Sequence, residues 1–431
     1  MKKHKTKIKA AIWDELYYSW RKSFDQAIRA DIQFGGELDI NILIDAFNET
    51  IELVPVVKSK WINKPVRSYW EIIQNFNIRD YFTVTEDLED AENFMLESID
   101  CEACAQIKVL IYRHKGKDNL RIVLSHMCFD GSSFMDFLEL LSRYYSGLKQ
   151  NSDFKITDFV NGERDVWQLF KNFTLKERLN FALKKIKHSK ISQNIRLNIP
   201  CDKDASEKTK VIQKKIIEEE LLLKLIEKSK KSGQKLNDIF IAAFGRSLFD
   251  ISIANHSPMP IAFSIDLRIF MKEKKTAGLT NMSTALFIPF DKIEGESFEE
   301  SVNRTSTHIN EVKNNNSAMF NKELLRLLVF SFYLPVSKEK ILKSFLGGGS
   351  AVTGISNVGV IKPEVVSFSG LKVEEFFMIG SVKFTPFPAL FINTFNNRIY
   401  LSTASLGSKM EIELEKRVLD LFESYLINYV E

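Results

Sequence analysis

From residue 36 onward the apolar residues keep two different periods. After Gly36-Glu37-Leu38-Asp39, the residues Leu43, Ala46, Phe47 and Ile51 recur at helical spacing. A single stripe at that period predicts an amphipathic helix. Pro55 closes it, because the residue before a proline is pushed out of the α region. Ala105 to Arg113 has a period of two, with Ile107, Val109 and Ile111 on one face and Lys108, Leu110 and Tyr112 on the other. This predicts a strand whose second face is only partly polar. A turn at 115–119 leads to a second strand, Leu120 to Leu124. Gly131-Ser132-Ser133 then opens a helix, with Ser132 or Ser133 as its cap. Phe134, Phe137, Leu138, Leu141, Tyr144 and Tyr145 form its apolar face.

From Lys184 to Lys210 both periods fade into Lys, Ser, Asn and Asp with Pro200, the pattern of an interdomain linker. The second half then mixes both element types again. Helices are expected over Glu218 to Lys231, closed by Gly233, from Asn237 as a cap, over Phe298 to Val312, over Met319 to Phe332, and over Glu411 to Tyr429. Strands are expected over Pro260 to Leu267 and Thr353 to Ile361, and over Ala389–Phe395 and Arg398–Leu406 as a hairpin through Asn396-Asn397. Strands and helices mixed in both halves predict two domains of α/β or α+β type.

At 431 residues the chain exceeds one compact core, since single cores stop growing at about 250–300 residues. Hydrophobic residues are 45% and charged residues 27%, which excludes a fibrous or disordered chain. Sixty basic against fifty-six acidic side chains leave a net charge of +4, too small an imbalance for a dedicated nucleic-acid binder. The basic start MKKHKTKIK resembles a signal-peptide start but runs into Asp14 and Glu15 without an apolar core, so a solvated tail is expected there. The longest apolar stretch, Leu327 to Val336, is broken by Ser331 and too short to span a bilayer. A soluble, cytoplasmic monomer without membrane insertion is expected. Cys101 and Cys104 form a lone C-x-x-C, with Cys128 and Cys201 far off. A zinc site needs a second ligand pair, so reduced thiols and no metal are expected.

The chemistry concentrates in Ser125-His126-Met127-Cys128-Phe129-Asp130-Gly131. His126 leaves a strand end and enters a loop that starts a helix, where a rigid frame holds a reacting group. Neutral imidazole is well matched to taking a proton near pH 7. Asp130 could orient the ring or hold the loop, and Gly131 lets a ligand approach the backbone. A core histidine satisfied by a nearby carbonyl would show the same string. Leu346-Gly347-Gly348-Gly349-Ser350 has the look of a phosphopantetheine site, but no small four-helix carrier bundle fits around it, and it lacks the Lys of a phosphate loop.

The segment resembles the H-H-x-x-x-D-G signature of thioester-dependent acyltransferases. That superfamily includes chloramphenicol acetyltransferase, the condensation domains of non-ribosomal peptide synthetases, alcohol acetyltransferases, mycobacterial polyketide-associated acyltransferases and plant BAHD acyltransferases. Further landmarks follow in the family's order. They are Gly36-Glu37-Leu38-Asp39 through Pro55 and Lys58, Leu236-Asn237-Asp238-Ile239 through Ala242-Ala243, Asp266-Leu267-Arg268, and Ser356-Asn357-Val358-Gly359. The resemblance implies an α/β fold with mixed α+β sheets. Two acetyltransferase-like domains, 1–190 and 205–431, would form a V around a central tunnel.

It also implies roles. His126 is the catalytic base, Asp130 and Arg268 form a structural salt bridge, and Gly131, Ser356 and Asn357 line the substrate tunnel, with Asn357 or a backbone N–H near Gly131 facing the oxyanion. No cofactor would be bound permanently; acyl-CoA or a phosphopantetheine thioester serves as co-substrate. The acceptor would be a small alcohol or amine, and an acyl carrier protein is a further expected partner. Ser125 stands where the signature has its first histidine, and the D-F-G-W-G motif of the plant branch is absent. Three functions follow as expectations: an acyltransferase, a free-standing condensation enzyme forming an amide or ester from carrier-bound substrates, and a non-catalytic binding member of the same fold.

Overall fold

The structure, a computed structural model, describes residues 6–65, 67–159, 162–165, 168–169, 174, 199–202, 205–253, 258–271, 278–314, 353–384 and 389–431. The first part carries β1 (Lys7–Lys9), α1 (Ile12–Ser19), β2 (Ala27–Phe34), α2 (Ile40–Leu53), β3 (Ser59–Ile62), β4 (Tyr69–Ile72), β5 (Phe82–Thr85), α3 (Leu88–Met95), β6 (Ile107–His114), β7 (Lys117–Ser125) and α4 (Gly131–Gln150). The second part carries β8 (Thr209–Ile217), α5 (Glu219–Ser232), α6 (Leu236–Asp250), β9 (Met259–Asp266), β10 (Ser283–Phe290), α7 (Phe298–Asn314), β11 (Gly354–Val360), β12 (Val373–Ile379), β13 (Ala389–Phe395), β14 (Arg398–Gly407) and α8 (Lys409–Val430). The expected helix from Met319 to Phe332, the Gly347-Gly348-Gly349 stretch and most of the expected linker lie outside the described residues.

Three sheets form. One has the order β12-β2-β7-β6-β5, a second β10-β9-β11-β13-β14-β8, and a small third β1-β4-β3. In the first, α4 presents Phe134, Phe137, Leu138, Leu141, Tyr144 and Tyr145, all buried. Burying each such side chain contributes about 1.5–3 kcal/mol, so the helix is held mainly by this stripe. In the second, β13 and β14 meet through Asn396 and Asn397 at φ 45° and 58°, the left-handed pair that a two-residue hairpin demands. The buried apolar side chains gather into two cores, one around β2, β6, β7, α2 and α4, the other around α5, α6, α8 and β9. Among the described residues no helix is long and apolar enough to cross a membrane.

β12 belongs by sequence to the second part, yet it pairs antiparallel with β2, Met378 opposite Ala30. The two lobes therefore share a strand. The exchange is sealed by Arg29, fully buried on β2, whose guanidinium donates to Gly380 O at 3.1 Å and pairs with Asp25.

Two expected caps are corrected. α4 is capped by Asp130, whose carboxylate accepts from Ser133 N at 2.9 Å, not by Ser132 or Ser133. A carboxylate is the stronger acceptor, and the Ser133 hydroxyl is engaged with Thr280 O at 2.6 Å and Arg268 at 2.7 Å. α6 starts after Lys235, so Asn237 lies inside the helix. Its side-chain oxygen accepts from Asn357 Nδ2 at 3.4 Å instead.

Candidate active site

His126 follows the last residue of β7. Its N–H donates to Gln26 O at 2.7 Å, and the turn closes through Cys128 N to Ser125 O at 3.0 Å. Ser125, Met127, Cys128, Phe129 and Asp130 are all buried, while His126 between them stays partly exposed. The buried residues thus anchor the loop, and His126 is the partly exposed residue among them. Nδ1 lies 2.7 Å from Phe129 O. A carbonyl only accepts, so Nδ1 carries the proton and Nε2 keeps its lone pair. Nε2 faces the Tyr17 hydroxyl at 3.5 Å. Burial holds the His126 pKa below its ordinary value, and the Lys383 charge adds to that effect, while the Phe129 carbonyl and Asp130 oppose it.

Asp130 makes two contacts beyond its cap. Arg268 Nη1 donates to Oδ2 at 2.8 Å and Met282 N donates to the same oxygen at 2.7 Å, while Oδ1 caps α4. Both ion-pair side chains are nearly buried, at 8% and 3% exposure. Arg268 also bonds Asp266 at 3.0 Å, Thr280 O and Ser133. Burial works against the Arg268 charge, but Asp130 and Asp266 outweigh it and its pKa is raised. The network ties the start of α4 to the ends of β9 and β10, so it joins the two lobes directly behind the His126 loop.

Gly131 sits against β11: a Cβ there would lie 3.3 Å from a Val358 methyl. Ser356 Oγ meets Ser264 Oγ at 3.0 Å. The Asn357 amide oxygen accepts from Gly359 N at 2.8 Å, and its nitrogen points to Asn237. His126, Asp130, Gly131 and Arg268 are thus one cluster, and Ser356 and Asn357 lie on the strand beside it. Among the described residues Asn357 makes no hydrogen bond to His126.

Several residues around His126 carry no signal in the sequence. Tyr17 packs its ring on His126, centroids 4.5 Å apart, and touches Trp20 and Phe24 at 5.5 and 6.0 Å. All four are only partly buried. Lys383 holds its ammonium 4.3 Å from the Phe24 ring, and burial lowers its pKa to about 8 against the pull of Asp25. Asn281 Nδ2 donates to His126 O at 3.0 Å. Tyr17 reads in the sequence as one more apolar position beside Trp13 and Leu16, and Asn281 sits in an unremarkable Thr-Asn-Met-Ser run.

Three of the four cysteines have thiols held away from the reactive, deprotonated form. Burial pushes the Cys101 thiol up to about 12 and raises Cys104 and Cys128 as well, whereas a reactive thiol has a lowered pKa. A concavity of about 1060 Å³ lies by the start of α8, lined by Asp202, Ser408, Met410 and Arg417, and includes none of the residues around His126.

No family model and no curated protein matches the chain. Solved structures do. Polyketide synthase associated protein 5 from Mycobacterium tuberculosis aligns with a TM-score of 0.70 at 14% identity, over 98% of this chain and 97% of that one. The first condensation domain of the calcium-dependent antibiotic synthetase, solved with a substrate analogue, gives 0.71 at 13%, over 97% and 96%. The starter condensation domain of rhizomide synthetase, solved with C8-CoA and Leu-SNAC, gives 0.67 at 10%, over 98% and 94%. The alignments span nearly the whole of each chain, so this chain shares the two-lobed fold of the condensation domains.

Proposed function

We propose that the protein is an acyltransferase that moves an acyl group from a thioester donor to a hydroxyl or amine acceptor, with His126 as general base. One observation carries this reading: Nδ1–H is committed to Phe129 O at 2.7 Å, so the Nε2 lone pair is the nitrogen left to face a ligand at the partly exposed side of the loop. The lowered pKa keeps that nitrogen unprotonated at neutral pH. Nε2 takes the proton from the acceptor O–H or N–H as the acceptor attacks the thioester carbonyl. The tetrahedral intermediate collapses with cleavage of the C–S bond, and the thiolate leaves with the proton that the imidazolium returns. No acyl-enzyme is needed, and Cys128, buried with a raised pKa, is no nucleophile.

Asp130 and Arg268 hold the loop between two domains of about 1–190 and 205–431, the strand 373–379 excepted. Gly131, Ser356 and Asn357 line the donor path in this reading. The solved neighbour with C8-CoA and Leu-SNAC favours a CoA or pantetheine thioester. The test is thiol release from a panel of acyl-CoAs with candidate alcohols and amines, run on the wild type and on His126→Ala. A roughly 10²–10⁴-fold loss in the variant is expected, the range for a missing general base. Turnover by purified, folded His126→Ala at the wild-type rate would refute it.

A further inference from the structure

We propose that Tyr17 and Asn281 are positioning residues that clamp the base from opposite lobes, Tyr17 through its hydroxyl on Nε2 and Asn281 through its amide on the His126 carbonyl. The proposal rests on the reading of His126 as general base. Tyr17 comes from α1 in the first lobe; its hydroxyl stands 3.5 Å from Nε2 and its ring lies on the imidazole at a tilt of 44°. Asn281 precedes β10 in the second lobe. Its orientation is settled by its own bonds: Oδ1 accepts from Ser283 N at 3.1 Å and Ser283 Oγ at 3.0 Å. The amide nitrogen must therefore point the other way, where it donates to His126 O at 3.0 Å and lies 3.4 Å from Nδ1.

Two donors thus frame the ring. In the unliganded site the Tyr17 hydroxyl orients the ring by donating to the Nε2 lone pair, and it gives way when the acceptor O–H or N–H takes that place. The Asn281 amide cannot donate to Nδ1, which already carries the proton given to Phe129 O, so it places the loop rather than the proton. Burial raises the Tyr17 pKa, with Asn281 and Ser283 pulling the other way, so Tyr17 stays protonated and able to donate across the physiological range. Asn281 is fully buried while Tyr17 and His126 are partly open. The clamp is therefore anchored at its inner end and leaves the face of the base accessible. Separating the lobes would remove Asn281 from the His126 carbonyl and loosen the base.

The experiment is nitrogen-15 NMR of the histidine side chains in the whole chain, with His126→Ala identifying the His126 signals. It is followed through pH in the wild type, Tyr17→Phe and Asn281→Asp. In the neutral wild type the Nδ1-protonated tautomer should dominate. Tyr17→Phe keeps the ring and loses the donor, so the Nε2 resonance should move toward that of an unbonded imidazole. The variant's turnover in the acyl-CoA assay should fall about three- to tenfold, the worth of one hydrogen bond. Asn281→Asp puts a carboxylate beside Nδ1 and should raise the His126 midpoint by about one pH unit or more, as a close opposite charge does. An unchanged Nε2 resonance in folded Tyr17→Phe, or an unmoved midpoint in folded Asn281→Asp, would overturn the clamp. Full turnover by His126→Ala would instead overturn the base, with the NMR result standing apart from it.

Discussion

His126 shows how far a single side chain is set by its neighbours. Its tautomer follows from one 2.7 Å contact to a carbonyl, and its basicity from burial and from the Lys383 charge. Both push toward the neutral form, which is the form that accepts a proton. kcat/KM should therefore hold steady at neutral pH and fall only as pH drops through a midpoint below the usual histidine value of about 6.5. Lys383→Met removes the charge that adds to burial in depressing that midpoint, so the acid limb of the pH–rate profile should move to higher pH. A limb that stays in place would mean that Lys383 does not act on His126. The same shift has a stability side. A histidine whose folded pKa lies below its unfolded value contributes stability above about pH 6.5 that is lost as pH falls through the folded value. His126 itself was legible in the sequence, because a strand end, a loop and a helix start are local features. Lys383 and Tyr17 were not, because nothing local marks an aromatic or a lysine as facing a histidine more than a hundred residues away.

At the scale of elements, the approach of β11 to the start of α4 shapes the site. A Cβ at Gly131 would come 3.3 Å from the Val358 methyl, a contact that a small shift of Val358 relieves. Gly131→Ala should then be nearly silent. Gly131→Leu cannot be relieved that way, since inserting extra methylenes into a packed contact costs about 1–3 kcal/mol and displaces backbone. It should raise the thioester KM at least tenfold while kcat changes less, the split that separates a blocked path from a missing base. Steady-state kinetics at saturating acceptor check this, with thermal unfolding to monitor the fold. The helix itself was readable from its apolar period. Its cap was not, because Ser132 and Ser133 obey the same local preference as Asp130, and the choice is made by Arg268 and Thr280 competing for the Ser133 hydroxyl. The Asn396-Asn397 turn was readable because a hairpin of this kind is decided by the two residues inside it.

In the whole molecule, the Asp130–Arg268 network and the shared strand are two of the places that join the lobes. Asp130→Asn is nearly the same shape but sets an NH2 group against either Arg268 and Met282 N or Ser133 N. It should lower stability almost as much as Arg268→Ala, each by about 3–5 kcal/mol, because one charge of a buried pair is left alone. Denaturant unfolding measures both, and a loss within about 1 kcal/mol of zero would show that the pair is dispensable. The linkage of Asp266-Leu267-Arg268 to Asp130 was legible through resemblance alone. The strand exchange was not legible at all, since periodicity describes a strand's faces and not its partner. That exchange bears on how the protein is made. β2 and β12 are separated by more than 300 residues of chain. A ribosome adding roughly 5–20 residues per second needs about 15–60 s to bridge that gap. Throughout this interval the outer edge of β2 is an open row of hydrogen-bonding groups, ready to pair with a neighbouring nascent chain. The N-terminal lobe is thus the first to be synthesised and among the last to be finished, and it is the part for which chaperones would compete with aggregation.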